Sequence, residues 1–115
     1  MNRKYSLKKN EEIKKVLDYQ RKKISGAVTI YIKPQENPGL FKLAISVPKK
    51  LGNAVQRNKV KRRIREIIRL FILKPGMDYF ILVKPSAKEY TYQALEKHIY
   101  ECLKQHGQIK GEEHE

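Results

Sequence analysis

The residues of this chain best suited to chemistry are the basic ones between Lys49 and Glu66, in the stretch KKLGNAVQRNKVKRRIRE. Neither Asp nor Glu occurs in this stretch before its last residue. Arginine offers a planar fork that fits phosphate oxygens and lysine a mobile point charge, so the composition predicts phosphate contacts. Asn53 and Asn58 add neutral donors and acceptors. The predicted contact cations are Lys49, Lys50, Arg57, Lys59, Lys61, Arg62, Arg63 and Arg65.

The same stretch has the apolar spacing of a helix, because apolar residues recur every three or four positions from Val60 to Phe71. We predict a helix that begins near Asn53 or Ala54 and runs to about Leu73. Like charges four residues apart weaken an isolated helix, so their retention indicates a use and disfavours a merely solvated basic face. The cations aligned along one predicted helix edge are Arg57, Lys61 and Arg65.

The whole chain is basic, with 26 Lys and Arg against 12 Asp and Glu in 115 residues and a net charge of +14. The length fits one domain, residues 1–115, and the charge favours nucleic acid as partner over an acidic membrane surface. The single cysteine, Cys102, indicates a reducing compartment. No apolar run resembles a signal peptide or a membrane span. We therefore expect a cytoplasmic protein that has no membrane partner and is monomeric on its own.

The remaining patterns predict an α+β fold, a small two-layer sandwich with helices packed on a short mixed sheet, in the order α-β-β-(β)-α-β-α. Small residues on one side of the second strand would let a helix lie close to the sheet. Thr91 and Ser86 are both candidate N-caps for the last helix. The predicted segments are a flexible basic arm at 1–9, a first helix with Asn10 as its N-cap that runs to about Tyr19 or Lys22, strands at 27–33, 40–47 and 78–84, a last helix ending near Gln105 or Gly107, and a flexible tail at 107–115.

Catalytic groups are harder to find in the sequence. His98, Cys102 and His106 are four apart and could share a helix edge, which allows a metal site. Cys102, however, falls on the apolar stripe with Ile99 and Leu103, which favours a buried structural thiol. No serine-histidine-acid arrangement and no paired carboxylates stand out, so we expect no catalytic residue and no metal site in the protein itself.

The basic stretch resembles the signature of the bacterial ribonuclease P protein family. The resemblance also includes LKKNEE (7–12), AISVPKK (44–50) and VKPSAKEYTYQAL (83–95), and it covers about residues 5 to 105. So many positions at fixed spacing make it specific. The signature positions that this chain supplies are Lys49, Lys50, Gly52, Ala54, Val55, Arg57, Asn58, Lys61, Arg62 and Arg65.

This resemblance implies both a fold and a function. The family fold is similar to a domain of small-subunit ribosomal proteins and has a left-handed βαβ crossover. The family's protein is a subunit of a ribonucleoprotein that removes the 5′ leader of precursor tRNA. Its RNA partner, ribonuclease P RNA, carries the active site, and magnesium is held mainly by that RNA. The conserved helix, here about 54–73, is expected to contact the RNA.

The resemblance also implies a leader-binding cleft between the first helix and the sheet. Many relatives have phenylalanine at two of its positions, where this chain has Ile13 and Leu17. An aliphatic side chain cannot stack on a base as a ring does, so leader binding is expected to rely more on Tyr31, Lys14 and Lys33. Ile13 and Leu17 have an alternative interpretation as core residues.

Two functions of different classes stay open at this point. The first is the accessory subunit of an RNA-based endoribonuclease, and the second is a plain RNA-binding protein, ribosomal or chaperone-like, with no role in cleavage. A helix-turn-helix DNA-binding protein is a weaker third, because no short helix directly precedes the basic one.

Overall fold

The computed structural model describes residues 10–35, 42–73, 75–107 and 109–110. The helices within these ranges are α1 (Asn10–Asp18), α2 (Ala54–Leu70) and α3 (Tyr92–Gln105). The strands are β1 (Lys22–Ser25), β2 (Val28–Pro34), β3 (Lys42–Ser46), β4 (Ile72–Leu73), β5 (Met77–Val83) and β6 (Ile109–Lys110). Two short 3-10 turns follow β3 and β5, at Lys49–Leu51 and Pro85–Glu89.

Four of the strands form one mixed sheet in the order β1-β2-β5-β3. β2 is antiparallel to both β1 and β5, whereas β3 and β5 run parallel and are connected through α2. β5 therefore lies in the interior of the sheet, as its nearly continuous apolar sequence predicts. The α+β class and the mixed sheet are confirmed, and the left-handedness of the β3-α2-β5 crossover stays a prediction.

Alternation along β5 divides the core into two parts, because neighbouring side chains on a strand point to opposite faces. Ile81 faces the main core, where α2 and α3 pack on the sheet. Phe80 faces the other way and packs with Val16 of α1, with Ala44 at the edge of that smaller cluster. The prediction that small β3 residues admit a helix is thus confirmed. α1 adds a partial layer that the two-layer description did not include.

The sequence missed one strand and misplaced the end of α2 and the start of the tail. β1 was not predicted, because its sequence KKIS is mostly exposed and lacks the apolar alternation typical of a strand. α2 ends at Leu70 instead of Leu73, because Ile72–Leu73 pairs with Ile109–Lys110 in a small antiparallel sheet. That pairing also corrects the flexible tail predicted at 107–115. The predicted arm at 1–9 and residues 111–115 lie outside the described ranges.

The last helix follows its predicted pattern closely. Thr91 is the N-cap and accepts a hydrogen bond from the backbone N–H of Ala94 at 3.1 Å, whereas Ser86 lies in the preceding 3-10 turn. The predicted buried stripe is confirmed, with Leu95, Ile99, Cys102 and Leu103 all inaccessible to solvent.

Candidate nucleic-acid interface

The start of α2 is held in place by local hydrogen bonds and by one buried anchor. The side chain of Asn53 accepts a hydrogen bond from the backbone N–H of Gln56, and the Gln56 side chain accepts one from the backbone N–H of Asn53, both at 2.9 Å. This reciprocal capping box satisfies two donors that the first turn would otherwise leave free. Leu51, just before it, is fully buried. Asn53, predicted as a contact residue, therefore has a structural role.

The inward side of α2 is apolar and its other sides are basic. Val60, Ile64, Ile67 and Ile68 are buried in the main core. The cations therefore lie on the sides of α2 turned away from the sheet. We call the predicted set the motif surface: Lys49, Lys50, Asn53, Asn58, Lys59, Arg62 and Arg65 are exposed in it, and Arg57, Lys61 and Arg63 are half-buried.

Few charges of the motif surface are neutralised by carboxylates in the described part of the chain. Among the described residues, Arg62 is its one cation within ion-pair distance of a carboxylate, at 3.8 Å from Glu66. The Nε atom of Arg57 is enclosed, and no described residue forms a hydrogen bond with it. An unmade hydrogen bond at an enclosed donor costs stability.

A second candidate surface lies on the opposite face of the sheet, beside α1. Ile13 and Leu17 of α1 and Tyr31 of β2 border the small cluster of Val16 and Phe80. The rings of Tyr31 and Phe80 are tilted at 53° with centroids 6.2 Å apart. Lys22 of β1 places its Nζ atom 5.7 Å from the centre of the Tyr31 ring. We call this region the α1 cleft; it brings together Ile13, Leu17 and Tyr31 as predicted.

One end of the α1 cleft is closed by polar contacts that spacing along the sequence could not predict. Lys42 of β3 donates a hydrogen bond to Glu12 of α1 at 2.9 Å, and this ion pair raises the pKa of Lys42. Beside it, the Gln35 side chain donates to Asp78 at 2.6 Å. Partial burial raises the pKa of the Asp78 carboxyl, although the Gln35 hydrogen bond opposes that shift.

The two lysines predicted for the cleft occupy different positions. Lys33 pairs with Asp78 in the register of β2 and β5, and its Nζ donates to the carbonyl of Pro34 at 3.1 Å. Lys14 is exposed on α1. Lys33 therefore lies on β2, two residues after Tyr31, and Lys14 lies on the helix that borders the α1 cleft.

A serine, a histidine and an acid meet in the structure, which the sequence did not suggest. Ser25 Oγ donates to Glu101 at 2.9 Å and lies 2.8 Å from His98 Nδ1. Because the one hydroxyl proton of Ser25 goes to Glu101, His98 Nδ1–H is left to donate to the serine oxygen. These contacts join the end of β1 to α3.

The other residues considered for a metal site are engaged in the core. Cys102 Sγ donates to the carbonyl of Lys23 at 3.5 Å, and desolvation raises the pKa of its thiol to about 11. His106 is buried, and its Nε2 lies 2.8 Å from the carbonyl oxygen of Ile30. The predicted buried cysteine is confirmed. Across residues 10–35, 42–73, 75–107 and 109–110, no three His, Cys, Asp or Glu side chains are grouped to hold one metal ion.

Comparison with known proteins places the chain in a family. The family model described as Ribonuclease P matches residues 1–107. The ribonuclease P protein component of Phytoplasma australiense is 42% identical over 97 residues, covering 83% of this chain and 84% of the relative. That of Brevibacillus brevis is 35% identical over 112 residues, covering 96% and 89%. This chain therefore belongs to the ribonuclease P protein family, as the basic signature predicted.

Solved structures agree with the sequence comparison. The Staphylococcus aureus RNase P protein superimposes with a TM-score of 0.78 at 30% identity, covering 87% of this chain and 93% of that one. The Thermotoga maritima RNase P protein has a TM-score of 0.74 at 19% identity, covering 84% and 92%, which shows the shared fold. None of the helices that the structure describes has the length and apolar character needed to cross a bilayer.

Proposed function

We propose that this member of a tRNA-processing family is the accessory protein subunit of a ribonucleoprotein endoribonuclease that removes the 5′ leader of precursor tRNA in the cytoplasm. The protein binds ribonuclease P RNA through the motif surface and the leader through the α1 cleft. The observation that carries the proposal is the motif surface itself. It is an array of cations on a helix fixed by buried residues, and Arg62 alone among them is near a carboxylate of the described residues. Such an array suits the phosphates of a folded RNA.

In this proposal the partner RNA performs the hydrolysis. Ser25, His98 and Glu101 are half-buried and join β1 to α3, so no catalytic role is assigned to them. Among the described residues no three His, Cys, Asp or Glu side chains are grouped to hold a metal ion, and no step is assigned to a protein-bound ion. Magnesium is expected to be held mainly by RNA, and the protein strengthens magnesium-dependent binding by neutralising phosphate charge.

The α1 cleft supports a different kind of contact, with single-stranded leader. Tyr31 offers a ring on which one base can stack, and Ile13 and Leu17 offer apolar surface without stacking. Lys14 and Lys33 are proposed to contact leader phosphates. The protein alone acts as a monomer, and its partners are ribonuclease P RNA and precursor tRNA.

The test is cleavage of precursor tRNA by ribonuclease P RNA at low magnesium, with and without the purified protein. Stimulated 5′ processing that fades at high magnesium supports the proposal. Binding of the RNA without stimulation would favour the plain RNA-binding protein instead. Cleavage of the leader by the protein without RNA would contradict both, so that reaction is the necessary control.

A further inference from the structure

The ends of two parallel strands bring distant parts of the chain to one edge of the sheet. β3 and β5 run parallel, so the turns that follow them, Lys49–Leu51 and Pro85–Glu89, leave from the same edge and contact each other. Each turn is anchored by one buried residue, Leu51 or Ala87. α2 starts from this edge as well, since it is the connection between β3 and β5. We call this region the carboxyl edge.

The carboxyl edge carries more positive charge than the motif surface alone. Lys49 and Lys50 are exposed on the first turn, and Lys84 and Lys88 are exposed at the second. The backbone N–H of Lys84 donates to the carbonyl of Ala27 at 2.8 Å, which fixes where that lysine leaves the sheet. None of the four lysines lies within ion-pair distance of a described carboxylate, although Glu89 ends the second turn.

We propose that Lys84 and Lys88 extend the motif surface around the carboxyl edge and bind the phosphate backbone of the same folded RNA. The inference rests on the proposed function and adds a second chain segment to its RNA contact. Charge complementarity and continuity with Lys49 and Lys50 carry it. An acidic membrane does not fit, because binding to a membrane surface needs a broad apolar face. At the start of α2 the exposed apolar residue is Val55, which is small and 76% exposed.

The experiment measures how the affinity of the full-length protein for ribonuclease P RNA depends on salt. The variant Lys84→Ala/Lys88→Ala removes two exposed charges from the carboxyl edge. The matched control Lys15→Ala/Lys23→Ala removes two exposed charges from α1 and β1, outside the two turns of the carboxyl edge. Lys84→Arg/Lys88→Arg keeps the charge and serves as a rescue.

The carboxyl-edge variant is expected to flatten the plot of log affinity against log salt by about two. It should weaken binding roughly tenfold at about 0.2 M salt, because two phosphate contacts are lost. The arginine variant should restore the affinity, and the control should keep the original slope. Equal slopes for the carboxyl-edge variant and the control would overturn the inference.

The result also separates this inference from the proposed function. Arg57→Ala/Lys61→Ala/Arg65→Ala tests the motif surface in the same assay. If that variant flattens the slope while the carboxyl-edge variant behaves like the control, only the extension to Lys84 and Lys88 fails. If the motif variant leaves the slope unchanged, the proposed RNA-binding surface fails with it.

Discussion

The motif surface and the α1 cleft lie on opposite sides of one sheet and differ in how they are built. On α2, cations crowd together and only Arg62 has a nearby carboxylate among the described residues. In the cleft, Lys42 is paired with Glu12, and Asp78 is held by Gln35 beside the Tyr31 and Phe80 rings. The first surface suits recognition by the number of charges, and the second suits recognition by shape and stacking.

The two regions also differ in how firmly they are attached. α2 places four residues in the main core and is fixed at both ends by β3 and β5. α1 has nine residues, and Val16 is its one fully buried side chain among those whose burial is described. An element with so little buried surface opens at low free-energy cost. The motif surface is therefore pre-organised, whereas the cleft can adjust to its ligand.

The largest expected effect is on the motif surface. Arg57→Ala/Lys61→Ala/Arg65→Ala should lower the affinity for ribonuclease P RNA roughly 50-fold at about 0.2 M salt, since three phosphate contacts are lost. The salt slope should fall by about three, as measured by binding titrations from low to high salt. The α1 cleft is intact in this variant, so an unchanged salt slope would mean that the motif surface does not supply the phosphate contacts.

A smaller effect is expected from the cleft. Tyr31→Ala should weaken binding of precursor tRNA to the reconstituted ribonucleoprotein about tenfold, because one base loses its stacking partner. Affinity for mature tRNA, which lacks the leader, should not change. Tyr31→Phe keeps the ring and should behave as the unmodified protein. If the variant ribonucleoprotein loses affinity equally for precursor and mature tRNA, the α1 cleft is not a leader-binding site.

Acid should loosen the main core before it affects the cations of the motif surface. Burial lowers the pKa of His106 below its ordinary 6.5, so on acidification the unfolded chain takes up the proton first. This contribution to stability is complete above about pH 7 and is lost as pH falls through the unfolded pKa towards the lower folded one. Urea unfolding between pH 7.5 and 5.5 should show the loss. His106→Gln, which keeps a donor, should show a flatter profile; an unchanged profile would exclude His106 as the cause.

The smallest effect is expected from the ion pair that closes the α1 cleft. Glu12→Gln should lower the free energy of unfolding by less than about 1 kcal/mol, as is typical of a partly exposed ion pair. Hydrogen exchange at α1 amides should nevertheless accelerate while α2 amides keep their protection. Glu11→Gln, on an exposed side of the same helix, is the matched control and should exchange normally. Equal acceleration in α1 and α2 would show that the two regions are not independently attached.

The sequence predicted those parts of the fold whose signals are local. α2 has a helical apolar repeat and a capping residue at Asn53, and β5 has a continuous apolar run. Asn10 was predicted as the N-cap of α1 and is the first residue of that helix, and α3 has Thr91 as its cap. These features depend on residues within one or two turns of each other, so their spacing along the chain is enough to identify them.

The parts that were missed depend on contacts between distant residues. β1 is a strand because it pairs with β2, not because of its own composition. The Glu12–Lys42 ion pair and the Ser25–His98–Glu101 group each join segments that spacing does not relate. Lys84 and Lys88 approach the motif surface only because β3 and β5 are parallel neighbours. Sequence spacing therefore predicted the motif surface but not its extension.

The buried thiol of Cys102, on the core-facing side of α3, has a practical consequence. Cys102 is the one cysteine of the sequence, is fully buried, and has a pKa raised to about 11 by desolvation. The thiolate is the form of cysteine that attacks alkylating reagents, so the native chain should resist them and a chain in which α3 has detached should not. The rate of Cys102 labelling would then report how fast α3 detaches from the sheet, in the free protein or in the assembled particle. No engineered probe would be needed.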